Sequence, residues 1–124
     1  MKNLKQKYVG MFCKLVTNPA MYLMAKNSEM DFIFYDCEHG MLNNETLHDL
    51  ILFGNNISVP TFVRVAELSR KEVSQILDCG ARGVMVPMIE TKEQAEKLVE
   101  TVATPVVRIQ TTDQVADIEK IWIN

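Results

Sequence analysis

No apolar run in this chain approaches the ~20 residues a helix needs to cross a bilayer. The lysine-rich start, Met1 to Lys7, is not followed by the unbroken apolar stretch of a signal peptide, because Gly10, Cys13 and Lys14 interrupt Tyr8–Leu15. Dense Lys/Arg runs are missing and the net charge is −3, which argues against the basic face of a nucleic-acid binder. Neither a G-x-G-x-x-G nor a Walker loop is present, so a backbone cradle for phosphate has no support. Serine and cysteine nucleophile patterns are missing too. The three cysteines, Cys13, Cys37 and Cys79, are odd in number and lack metal-ligand spacing. They read as small packing residues of a protein in the reducing cytoplasm. Cys37 stands apart only because polar, ionisable residues surround it. With no low-complexity stretch and no linker, the 124 residues read as one domain, 1–124.

What the chain does have is alternation. Hydrophobic residues make up 48% and charged residues 23%, an ordinary globular balance. Short β-branched or aromatic runs at Tyr8–Leu15, Phe32–Asp36, Thr61–Val65, Gly83–Val86 and Val106–Ile109 are separated by helical patterns. Their starts lie 22 to 29 residues apart, the cadence of βα units in a parallel sheet. Asn18-Pro19 opens a helix that should pack Met21, Met24 and Ala25. Asn43 or Asn44 caps a second, with Leu47, Leu50 and Ile51 on one face. Ser69 and Glu72 form a capping box ahead of Val73, Ile76 and Leu77, and Gly80 supplies a left-handed stop. Thr91 and Gln94 repeat the box before Ala95, Leu98, Val99 and Val102. A last helix is expected from Thr111 or Thr112, with Val115, Ile118 and Ile121. Periodicity leaves two architectures open: an open doubly wound sheet of the flavodoxin type, or the start of a (β/α)₈ barrel.

In both architectures, sites gather at the carboxyl ends of the strands. Asp36-Cys37-Glu38-His39-Gly40 follows the second strand directly. An acid three residues before a histidine on such a turn can orient the imidazole and favour its charged form; it can equally cap its own loop. Arg64 sits inside an apolar strand, sharing a face with Phe62, while Thr61, Val63 and Val65 share the other. A guanidinium there is suited to a two-point grip on a carboxylate, or to a salt bridge with Glu67 or Asp36. His48, on the second helix, reads as an ordinary surface residue.

Three segments carry a resemblance. They are Met30-Asp31-Phe32-Ile33-Phe34-Tyr35-Asp36-Cys37-Glu38-His39-Gly40, then Pro60-Thr61-Phe62-Val63-Arg64-Val65, then Ile76 to Met88 with its Asp78-Cys79-Gly80-Ala81-Arg82-Gly83 centre. In order and spacing, from about Gly10 to Val102, they resemble the HpcH/HpaI class of metal-dependent pyruvate aldolases. The resemblance implies an α/β fold of parallel strands taken from a TIM barrel. A complete barrel needs ~250 residues, so the expectation is a truncated, aldolase-like domain of about five βα units. It implies carbon–carbon lyase chemistry on 4-hydroxy-2-keto acids, with Mg²⁺ or Mn²⁺ holding the keto acid. By position, His39 and Asp36 would be the proton-transfer dyad and Arg64 would hold the pyruvate end. Gln110 falls where the family places a metal-binding Glu, and the second metal-binding acid has no counterpart. A neutral amide is a weak ligand for a hard cation, so metal binding is expected to be impaired. Self-association is expected as well, since five strands leave an edge and an apolar inner face to cover. The rival from another class is a non-catalytic, degenerate fragment or binding module that keeps a carboxylate pocket around Arg64 and His39.

Overall fold

A computed structural model describes residues 7–101 and 106–111; for residue 101 and for 106–111 the backbone alone is described. Among the described residues nine elements alternate: β1 (Gly10–Cys13), α1 (Ala20–Asn27), β2 (Phe32–Asp36), α2 (Asn44–Asn56), β3 (Thr61–Arg64), α3 (Arg70–Asp78), β4 (Gly83–Ile89), α4 (Lys92–Thr101) and β5 (Val106–Thr111). All neighbouring strands pair in parallel, in the order β1-β2-β3-β4-β5. That order decides between the two architectures. A doubly wound sheet reverses direction at a switch point, whereas a barrel adds each strand beside the last. Here no reversal occurs, so the sheet is a singly wound arc of a (β/α)₈ barrel.

The two faces of the arc differ. Alternation sends Ile33, Tyr35, Thr61, Val63, Val84 and Val86 to the helix-covered face, where all six are buried. Tyr22 of α1 ties that layer together: its hydroxyl meets the Thr61 hydroxyl at 2.6 Å, and its ring packs against Tyr35 and Phe53. The opposite face carries Phe12, Phe32, Phe34 and Phe62. Phe12 stacks on Phe34 at 5.3 Å and Phe32 meets Phe62 edge-on at 5.4 Å, yet Phe12 is still 55% exposed.

The helix signals act as their chemistry requires. Asn43 accepts the Thr46 N–H at 2.8 Å. Thr91 and Gln94 close a reciprocal box, with Thr91 Oγ1 accepting the Gln94 N–H and Gln94 Oε1 accepting the Thr91 N–H. Ser69 caps α3 through the Glu72 N–H, but the Glu72 carboxylate bonds to Ala66 instead of closing the box. Gly80 adopts φ +98° and ends α3 with the Ala81 N–H donating to the Ile76 carbonyl.

Other expectations need correction. Met24 is 63% exposed; Tyr22 takes its place, because Tyr22 and Ala25 are three apart and face the sheet together. The first strand is shorter than Tyr8–Leu15: among the described residues β1 pairs with β2 alone, and before Gly10 the pairing passes to Asp31, whose Oδ2 accepts the Val9 N–H. The fourth strand runs past Val86 to Ile89. Pro87 has no N–H for the ladder, so the register shifts there, Met88 takes φ 60°, and pairing resumes at Ile89. The helix expected after Thr111 lies outside the described residues.

Candidate active site at the carboxyl edge of the sheet

The carboxyl ends of β1, β2 and β3 bring four charged side chains together. Asp36 and Arg64 are register partners on adjacent strands, which places their side chains next to each other on one face. Asp36 is fully buried, so its charge needs compensation. Arg64 supplies it bidentately: Nε donates to Oδ1 at 2.9 Å and Nη2 to Oδ2 at 2.6 Å. Oδ1 also accepts the backbone N–H groups of Glu38 (3.0 Å) and His39 (3.3 Å). The carboxylate thus folds the Cys37–Gly40 turn around itself, as an aspartate at the head of a turn does. Gly40 completes the turn where no side chain fits: a Cβ there would lie 2.8 Å from the Lys14 carbonyl oxygen and clash with that of Asp36.

These contacts set the ionisation. Hydrogen bonding from Arg64 outweighs the cost of burial, and the two turn amides add to it, so Asp36 is pulled down from 3.8 to about 2. Arg64 is held still more firmly protonated by the same carboxylate. Cys37 goes the other way: burial, then Glu72 and Asp36, push its thiol up to about 11. It is therefore no nucleophile near neutral pH.

His39 lies 62% exposed at the mouth of this cluster. Its imidazole does not meet the Asp36 carboxylate; Asp36 takes its backbone N–H instead, and the neighbouring acid is Glu38, with Oε2 3.8 Å from Nε2. Glu38 Oε2 lies in turn 3.2 Å from Arg64 Nε. The two-point grip of Arg64 is made on Asp36, one of the two partners that the sequence left open beside a substrate carboxylate. One member of the cluster, Lys14, had no site role in the sequence reading. Lys14 follows β1 and holds its ammonium 3.7 Å from Asp36 Oδ2; its position just past a strand, level with Asp36, was the available signal.

The described donors at this edge do not suit a divalent metal. Among the described residues no three His, Cys, Asp or Glu side chains gather as a metal site. Asp36 accepts four hydrogen bonds and Glu38 is engaged by Arg64. Gln110 lies on β5 one position past Ile109, the register partner of Val86; its side chain falls outside the described residues.

A singly wound arc of parallel strands covered by helices defines a class: α/β proteins of barrel type. Comparison with known proteins narrows it. The family model for HpcH/HpaI aldolase/citrate lyase matches residues 9–120, and the chain belongs to that family. It is 34% identical over 102 residues to a 4-hydroxy-4-methyl-2-oxoglutarate aldolase, tasA, of Hapsidospora irregularis, covering 77% of this chain and 38% of that protein. A 2-keto-3-deoxy-L-rhamnonate aldolase of Klebsiella pneumoniae is 34% identical over 90 residues, covering 72% and 33%. The crystal structure of an HpcH/HpaI aldolase from Desulfitobacterium hafniense superposes with a TM-score of 0.74 at 25% identity, covering 94% of this chain and 46% of the other. The chain therefore spans a third to a half of the length of these relatives.

Proposed function

We propose that this chain carries the acid–base half of a carbon–carbon lyase site for 4-hydroxy-2-keto acids, in a cytoplasmic protein that self-associates. The observation that carries the reading is the convergence of His39, Glu38, Asp36 and Arg64 at one edge of the sheet, within a family whose named relatives are aldolases. In aldol cleavage the 4-hydroxyl loses a proton, the C3–C4 bond breaks, an aldehyde leaves, and the pyruvate enolate takes up a proton at C3. His39 carries those protons in this reading, being exposed and flanked by the Glu38 carboxylate. Arg64, held protonated and oriented by Asp36, directs positive charge toward the developing enolate.

A second reading has a specific observation behind it. Asp36 is locked by Arg64 and two amides, and the described donors do not suit a divalent metal. A site so arranged can bind a keto acid without cleaving it. A pyruvate-release assay on 4-hydroxy-2-oxoglutarate, with and without added Mg²⁺ or Mn²⁺, separates the two. Turnover lost in His39→Ala supports the lyase. Pyruvate binding without turnover supports the binding module. Turnover indifferent to His39 and Arg64 contradicts the site.

A further inference from the structure

The two cations of the cluster are used differently. Arg64 is 15% exposed, and its Nε and Nη2 are committed to protein carboxylates: both to Asp36, with Nε also 3.2 Å from Glu38. Lys14 is 47% exposed, and its ammonium, 3.7 Å from Asp36 Oδ2, lies outside hydrogen-bond distance. Its other described neighbour is the Phe12 ring, 5.9 Å from centroid to nitrogen, so it faces a π-surface on one side and solvent on the other. The Gly40 turn passes close beneath it, where an added Cβ would lie 2.8 Å from the Lys14 carbonyl oxygen.

Charge balance points the same way. Asp36 and Glu38 contribute two negative charges, Arg64 and Lys14 two positive ones. Remove Lys14 and the cluster is net negative and repels an anion. Keep it and the site offers an ammonium with three donors, none of them bonded to a described acceptor.

We propose that Lys14 is the anion anchor of this site: its ammonium takes the carboxylate of the keto acid, while Arg64 holds the site's own acids in place. The inference rests on the keto-acid reading above and adds the residue that selects for a carboxylate. A charge-assisted hydrogen bond of this kind changes affinity by about ten- to a hundredfold.

The test uses the full chain and two probes of the same shape, pyruvate and its neutral amide, pyruvamide, titrated by calorimetry or ligand-observed NMR. Lys14→Met is expected to weaken pyruvate binding at least about tenfold and to leave pyruvamide binding nearly unchanged. Lys14→Arg should restore most of the pyruvate affinity, which a merely structural lysine would not explain. Should the methionine variant fail to fold by circular dichroism, Lys14→Gln replaces it. Equal pyruvate affinity in the wild type and the uncharged variant overturns the anchor while leaving the keto-acid reading intact. A parallel loss of both probes also overturns it, since the effect is then not on charge. Absence of pyruvate binding to the wild type overturns the anchor and the keto-acid reading together.

Discussion

Asp36 illustrates how one buried side chain can organise a site. It neutralises Arg64, caps the turn that presents His39, and attracts Lys14, so its removal acts on all three. Breaking a buried ion pair from one side costs ~3–5 kcal/mol. Asp36→Asn should therefore lower unfolding stability by about that amount in urea titrations, a loss that would show as a falling midpoint. The pair also predicts acid lability. Its folded pKa is depressed, from 3.8 to about 2, so folding favours the ionised form. The stabilisation is full above about pH 4 and disappears as pH falls through about 2. Thermal scans across that window should show Tm falling in the wild type and a shallower fall in Asp36→Asn. An identical slope in the two proteins would contradict the assignment. Arg64→Lys should be harmful as well, because an ammonium cannot reproduce the two bonds to Asp36.

At the scale of the elements, sequence signals and geometry agree where the chemistry is local. Asn43, Ser69, Thr91 and Gly80 each declare a helix boundary through a bond they make to their own backbone neighbourhood, which is why they could be read directly. Gly80→Ala should cost about 1–2 kcal/mol in equilibrium unfolding, because φ +98° strains any side chain and the new methyl would lie 2.6 Å from Asn55 Nδ2. No change in stability would show that the turn relaxes. Legibility failed where tertiary partners decide. Met24 and Tyr22 are both apolar and one turn apart from other helix-face residues; only the Thr61 hydroxyl across the sheet selects Tyr22. The partner of Arg64 depended in the same way on register: Asp36 and Glu67 were equal candidates until β2 and β3 aligned Asp36 with Arg64. Lys14 went unread because one lysine after a strand carries no pattern of its own.

For the whole molecule, strand order is the informative quantity. Five parallel strands in sequence order make an arc with helices over one face and phenylalanines on the other. Exposed apolar surface of this kind favours association, and among the described residues β1 pairs with a neighbour on one side only. Sedimentation equilibrium should accordingly show concentration-dependent self-association, weakened by Phe12→Ser; a monomer at every concentration would refute it. The central claim, that this edge of the sheet handles the protons of a 2-keto acid, has a direct test that needs no knowledge of the aldehyde partner. Proton NMR of pyruvate in D₂O, with protein and with or without Mg²⁺ or Mn²⁺, follows exchange of the methyl hydrogens through the enolate. The account predicts exchange faster than in buffer, abolished in His39→Ala and retained in His48→Ala. Exchange no faster than buffer, or unchanged in His39→Ala, would contradict it.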